Sequence, residues 1–349
     1  ERVRLGSAFQ VEFIRVNHSI ADSYAIAIRT PAGLVVHSGD FKIDYTPING
    51  KVIDLQRFGE LGHEGVLAFM CESTNIEKEG SSPSEKYVGE AFQNIFKKAD
   101  GRIIVATFSS HVHRMQQIFT AAEMNGRHVC LCGRSMINCF KIANSLGYIE
   151  MNPDTLIDIS AIKNYPDNEI VVLTTGSQAE PTSALSRMAF ASHKEVEIRE
   201  GDTVIISAHP IPGNEKSIYK LIDELFKCGA EVIYESLADV HVSGHAYKNE
   251  IRLLHTLLRP KFFIPIHGEY RMLKNHADLS IMCGVDKDKT FILENGDSLI
   301  LNDHVITKGP SIKQDDIYVD GEHANEIAAQ VIRDRKIMAA DGILVIINR

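Results

Sequence analysis

Between residues 10 and 37 apolar and polar positions alternate with a period of two, as in Gln10-Val-Glu-Phe-Ile-Arg-Val16 and Ser23-Tyr-Ala-Ile-Ala-Ile-Arg-Thr30, followed by a Pro31-Ala-Gly33 turn and Leu34-Val-Val-His37. A period of two sends successive side chains to opposite faces of a sheet, so this stretch predicts a hairpin-rich antiparallel sheet. From about residue 84 the rhythm changes to helical segments between short β-branched runs. Helices are expected near 85–99, 111–125, 181–191 and 214–228, and strands at 102–108, 128–132, 170–175, 203–207 and 231–235. Strands separated by helices predict a parallel, doubly wound sheet with crossover helices. A further strand–helix–strand unit is expected over 248–266, and a hairpin over 290–301 around Asn295-Gly296. After about 306 the pattern predicts a helix near 322–333 and an apolar strand at 343–347, which reads as the start of a further, incomplete unit. No internal repeat or low-complexity segment interrupts this order.

Length then matters: 349 residues predict about two domains at roughly 100–200 residues each. The chain is 44% hydrophobic and 24% charged, an ordinary globular balance that excludes disordered and collagen-like classes. No apolar run approaches the roughly 18 residues of a spanning helix, and no apolar segment follows the charged N-terminal residues, so a cytoplasmic protein without a membrane partner is expected. Six cysteines without a C-x-x-C pair argue for reduced thiols rather than a disulfide or zinc framework. The net charge of −9 leaves no overall field to attract a polyanion, so any nucleic acid must be held by a local site.

Candidate chemistry lies where strands end. Four segments place a histidine or aspartate beside a small residue: Val16-Asn17-His18-Ser19, His37-Ser38-Gly39-Asp40-Phe41, Val242-Ser243-Gly244-His245-Ala246 and Pro265-Ile266-His267-Gly268-Glu269. Singly, each is an ordinary turn. Together, imidazoles and a carboxylate from separate strands are a donor set for zinc or manganese in a hydrolytic site. Asp40 is the natural bridging carboxylate if two ions are held.

The order and wording of these motifs resemble the β-CASP branch of the metallo-β-lactamase superfamily, and within it the ribonuclease J family. Asn17-His18-Ser19 and Ser38-Gly39-Asp40-Phe41 match its later metal motifs. Cys71-Glu72-Ser73-Thr74-Asn75, Ser243-Gly244-His245-Ala246 and Ile266-His267-Gly268-Glu269 match the three β-CASP motifs in turn. Thr107 to Arg114, Thr175 to Pro181 and Pro210 to Lys216 are also similar to ribonuclease J. The family signature H-x-H-x-D-H, which should precede His18, is nowhere in the sequence. The reading is therefore a chain that begins inside the lactamase domain.

The resemblance implies an α/β fold: a metallo-β-lactamase αββα sandwich, truncated at its N-terminus, with an inserted doubly wound β-CASP domain. Residues 1–84 would be the first part of the lactamase domain, 85–235 the β-CASP insert, 236–305 the returning lactamase part, and 306–349 a linker and the start of a C-terminal domain. It further implies two divalent ions, zinc first with manganese or magnesium as alternatives, held by His18, Asp40 and His267 and incomplete in this chain. Asp40, His245 and Glu72 would be catalytic, His245 beside the scissile phosphate and Glu72 orienting an imidazole. Ser109, Ser110 and His111, at a strand-to-helix turn, would bind phosphate together with Ser243, Gly244 and His245. The expected function is a metal-dependent ribonuclease on single-stranded RNA, both endonuclease and 5′-to-3′ exonuclease, assembled as a homo-oligomer, dimer or tetramer. Two rivals stand beside it: an RNA-binding scaffold impaired in catalysis, and a small-molecule metallohydrolase.

Overall fold

The computed structural model describes residues 2–211, 213–302 and 305–314, together with 319, 320, 323, 324, 331, 333–335, 337 and 338. The compact units run from 1 to 292 and from 293 to 349.

In the first unit the chain builds β1 (Arg2–Leu5), β2 (Phe9–Arg15), β3 (Tyr24–Thr30), β4 (Gly33–His37), α1 (Leu55–Glu64) and β5 (Val66–Glu72). It continues through α2 (Lys86–Lys98), β6 (Ile103–Ala106), α3 (Val112–Met124), β7 (His128–Cys132), α4 (Arg134–Ser145), β8 (Leu156–Ile157), β9 (Ile170–Thr174) and α5 (Ala184–Ala189). Then follow β10 (Thr203–Ile206), α6 (Glu215–Lys227), β11 (Glu231–Tyr234), α7 (Lys248–Leu258), β12 (Phe262–Ile266) and α8 (Tyr270–Met282).

Two sheets result. The first has the order β1-β2-β3-β4-β5-β12, an antiparallel meander as far as β4 and parallel from β4 through β5 to β12. The second, β11-β10-β6-β9-β7-β8, is parallel throughout. It separates two apolar cores: one packs α5 and α6 against Val172, Val204 and Ile206, the other packs α2, α3 and α4 against Val105, Val129 and Val171. This is the expected doubly wound insert. Its strands are buried on both faces, which explains their continuous β-branched runs.

The first sheet buries a single face along its antiparallel strands β2 to β4, while β5 and β12 are buried on both. Ile14, Ala25, Ala27, Val36, Phe69 and Cys71 point into a core closed by Phe58 and Leu61 of α1, Ile251, Leu254 and Leu258 of α7, and Leu279 of α8. Gly62 lets α1 and α7 meet at backbone distance, because a Cβ there would lie 1.9 Å from the Leu257 carbonyl oxygen. On the same face as Ile14, Glu12 is an inward carboxylate that an apolar core rejects unless it is paired. Arg57 of α1 binds both of its oxygens, at 2.8 and 3.0 Å, and Arg29 donates at 2.9 Å. The resulting cluster fastens α1 to the sheet.

Some sequence expectations are corrected. No strand precedes α7, so 248–266 is a helix–strand unit. The carbonyls of Val240, Ser243 and His245 accept from side chains of Arg114, Lys42 and Asn75, which takes the place of a ladder. The Asn295-Gly296 turn forms, with Gly296 at φ +90°, but it joins no hairpin. Phe291 N donates to Phe263 O at 2.9 Å and follows β12 instead, while the second unit pairs β13 (Leu299–Leu301) with β14 (Ile306–Lys308). The helix expected near 181–191 is only α5, started where the Ser183 hydroxyl accepts from Ser186 N. The helix near 322–333 lies largely outside the described residues, and the run 343–347 lies wholly outside them. All six cysteines are free thiols, three of them buried. Among the described residues no helix is long and apolar enough to cross a membrane.

Burial pushes the Glu12 carboxyl up, but hydrogen bonds from Arg57 and Arg29 outweigh it and hold the group at about 2, against an ordinary 4.5. A carboxyl lowered on folding contributes stability that is fully present above 4.5 and lost as pH falls towards 2. Glu12→Gln is expected to lower unfolding free energy at pH 7 by about 2 kcal/mol. In urea titrations the gap between the two proteins should narrow as pH falls from 4.5 to 2. A gap constant across that range would show that the pairing contributes nothing.

Candidate metal centre

The strands β2, β4, β5 and β12 all run the same way, so their C-terminal ends open on one edge of the first sheet. Asp40 follows β4, Glu72 ends β5, His267 follows β12, and His18 comes shortly after β2. The turn at Asp40 needs glycine: Gly39 sits at φ +59°, where a Cβ would lie 2.6 Å from the Tyr24 carbonyl oxygen. The passage 236–247, returning from the second sheet, lays Ser243, Gly244 and His245 across the same edge.

Glu72 organises this convergence. It is 1% exposed, accepts from Phe41 N at 2.9 Å, and receives His245 Nδ1 at 3.0 and 2.9 Å from its two oxygens. A carboxylate only accepts, so Nδ1 is the donor and His245 Nε2 is the nitrogen left to face the centre. His18 follows the same logic. Its Nδ1 is 2.8 Å from the Gly244 carbonyl oxygen, which leaves Nε2 facing the centre, 3.4 Å from Ser19 Oγ and 3.8 Å from Asp40 Oδ2. His267 Nδ1 lies 3.0 Å from Asp40 Oδ1. The ring centroids of His18 and His245 are 4.9 Å apart, and those of His245 and His267 5.6 Å.

Two donor groups converge within 4.8 Å: His18, Asp40 and His245, and Glu72, His245 and His267. The second spends Glu72 oxygens already committed to His245 and Phe41, so the Asp40 group is the better ion site. Two imidazole nitrogens and a half-exposed carboxylate fit a borderline divalent cation such as zinc. The local charges agree: the His267 hydrogen bond lowers the Asp40 pKa despite burial, and the same bond raises that of His267, while burial lowers that of His18.

A cavity of about 530 Å³ adjoins this centre, lined by His111, Ser243, Gly244 and His245 along with Phe108, Tyr247 and His209. The structure thus brings His111 to the segment 243–245. Ser109 and Ser110 belong to the same turn but are not among the lining residues. The His111 ring is turned into the protein, where Nδ1 accepts from Arg114 N at 3.3 Å and caps α3. Two residues escaped the sequence reading. Lys42, 4% exposed, donates to Pro83 O at 2.6 Å and to Ser243 O at 3.3 Å. Asn75 donates to Ser243 Oγ at 2.7 Å and to His245 O at 3.2 Å. A lysine two residues past a strand-end aspartate reads as a solvated side chain, whereas Asn75 closes a motif already singled out.

Comparison with known proteins identifies the family. Residues 100–225 match the family described as "Ribonuclease J, beta-CASP domain" and residues 229–287 the "Zn-dependent metallo-hydrolase RNA specificity domain". "Ribonuclease J" of Synechocystis sp. is 44% identical over 99% of this chain and 54% of its own length. The Helicobacter pylori (strain 26695) protein of that name is 41% identical over 97% and 49% respectively. The chain thus spans about half the length of these curated relatives. A solved structure, "Crystal Structure of a Protein of Unknown Function from Enterococcus faecalis V583", superposes with a TM-score of 0.58 at 16% identity, covering 88% of this chain and 65% of that one, a likeness of fold. Sheet order, strand-end motifs and relatives across nearly all of its length place the chain in the ribonuclease J family, with a metallo-β-lactamase fold and an inserted β-CASP domain.

Proposed function

We propose that this chain carries the metal-holding edge and the RNA-binding insert of a zinc-dependent ribonuclease that hydrolyses single-stranded RNA, as an endonuclease and as a 5′-to-3′ exonuclease. The observation that supports it best is the meeting of His18, Asp40, His245 and His267 on one sheet edge beside a nucleotide-sized cavity. His18 and Asp40 would hold the metal, joined by His267, whose Nδ1 reaches Asp40 Oδ1, with Asp40 the bridging group if two ions bound, while His245, which shares the donor group of His18 and Asp40, is kept for the phosphate. A divalent ion there supplies Lewis-acid polarisation of a phosphate and an acidified water. Glu72 holds His245 with Nε2 towards the centre, so that this imidazole contacts the scissile phosphate or returns a proton to the leaving oxygen. Residues 1–84 and 236–305 form the lactamase part, and 85–235 the β-CASP insert. The setting is cytoplasmic, and the assembly a homo-oligomer.

The 5′ end is the second element. The segment 243–245 shares the cavity with the turn that opens α3, whose first backbone N–H groups favour an anion. A 5′-monophosphate seated there, beside the metal centre, sets the register of trimming.

Asp40→Ala is expected to reduce hydrolysis of 5′-monophosphorylated single-stranded RNA about a thousandfold, the several kcal/mol that a Lewis acid contributes. RNA binding followed by fluorescence anisotropy should be nearly unchanged, since phosphate contacts elsewhere hold the strand. Turnover within tenfold of the parent would remove Asp40 from the centre.

Short RNAs with a 5′-monophosphate are expected to bind about tenfold more tightly than 5′-hydroxyl RNAs, as hydrogen bonds to a charged group are worth about 1.5–3 kcal/mol. Ser243→Ala should erase much of that difference. Equal affinity for both ends in the parent would place the 5′ end elsewhere.

A further inference from the structure

Three buried polar side chains form a hydrogen-bonded chain that the assignments above do not use. Ser73, His255 of α7 and His276 of α8 are each at most 1% exposed. His276 Nδ1 lies 2.9 Å from Ser73 Oγ, and His276 Nε2 lies 3.2 Å from His255 Nε2. Phe263 encloses both rings, at centroid distances of 4.6 Å from His255 and 4.7 Å from His276, and Phe69 meets His255 at 5.3 Å. Burial pushes His255 down to about 3 and His276 well below the usual imidazole range, so both rings are neutral.

Neutrality fixes the direction of the chain. Each ring has one N–H, and His255 Nδ1 has no hydrogen-bond partner. If His276 donated to His255, the His255 proton would sit on that orphaned Nδ1. A buried N–H without an acceptor is rarer than a bare lone pair. His255 Nε2–H therefore donates to His276, and His276 Nδ1–H donates to Ser73.

Ser73 stands between the two groups that build the metal centre. Glu72, before it, grips His245. Thr74, after it, has Oγ1 3.3 Å from His267 Nδ1 and donates to His267 O at 3.4 Å, and Ser73 N itself donates to His267 O at 3.3 Å. These contacts hold His267 at φ +54°, a left-handed conformation that is uncommon for residues other than glycine. An apolar side chain at 276 would fill the space but leave the Ser73 hydroxyl free to turn.

We propose that His276, oriented by His255, is a positioning residue: it locks Ser73 and the turn 72–74, and so holds His245 and His267 in register for metal binding. The inference rests on the metal-dependent reading above and adds that the centre is set from the core between α7 and α8. A buried hydrogen-bonded chain favours one arrangement of its members where apolar packing would allow several.

The test uses histidine-selective ¹⁵N spectra of the metal-free protein and zinc titration against a competing chelator, on the parent, His276→Leu, Ser73→Ala and His276→Asn. The parent should show His276 as the Nδ1–H tautomer and His255 as Nε2–H. In His276→Leu and Ser73→Ala the His245 and His267 ring signals should move while remote His128 stays in place, and zinc affinity should fall about 10–100-fold, the usual cost of losing a group that orients ligands. His276→Asn, which keeps a donor at the Nδ1 position, should recover most of that loss. Unmoved His245 and His267 signals with parental zinc affinity in a cooperatively folded variant would overturn the proposal, as would the opposite tautomers in the parent. If His276→Leu does not fold, Ser73→Ala decides by the same readouts. If the parent takes up no zinc and cleaves no RNA, the functional reading fails, and the ring signals still judge this inference.

Discussion

Glu72 is a carboxylate almost without solvent, and its three partners come from two distant parts of the chain. His245 comes from the passage returning from the inserted sheet, Phe41 from the turn after β4, and Ser38, whose hydroxyl accepts from Glu72 N at 3.1 Å, from the same turn one step earlier. Breaking one partner from such a buried pair costs about 3–5 kcal/mol in proteins generally, because the charge left behind keeps its desolvation cost without its compensation. The insert and the lactamase sheet therefore meet at a point where misplacement is expensive. Asp40 and His245 inherit their positions from it.

A second buried charge does the same for the insert. Arg114, with no exposed surface, ties Glu85 at the outgoing crossing to Ser207 at the end of β10 and to Val240 on the returning passage. Both crossings between the sheets are thus held by one guanidinium, whose fixed fork suits several acceptors at once. Lys42 continues the pattern by holding Ser243 and Pro83. The cavity beside the candidate metal centre keeps its shape because its walls hang from these buried groups rather than from loop surface.

Much of this was legible in the sequence. Period-two alternation identified β2 to β4, and β-branched runs between helices identified the parallel sheet, since both patterns record which faces are buried. His18, Asp40, His245 and His267 stood out as candidates for a similar reason, small residues beside polar ones marking close backbone approach, whereas Glu72 stood out only through the family resemblance. The hairpin at 290–301 was misread because a turn signal reports local backbone preference and not which strand edge is free to pair.

What the chain could not disclose by itself is pairing. The tautomers of His18 and His245 follow from a carbonyl and a carboxylate more than 170 residues away, at |i−j| of 226 and 173. The burial of Lys42, Arg114 and Glu12 looks like a solvated charge in every local pattern, and only the folded arrangement supplies the partners that make it affordable. His276 and His255, 21 residues apart on two helices, read as ordinary helical positions until α7 and α8 bring them to Ser73. Sequence alone determined the strands, the helices and the identity of the candidate groups, because burial periodicity and residue chemistry are local properties. Tertiary structure decided which nitrogen bears each proton and which charge is paired, because those depend on contacts that only the closed fold creates.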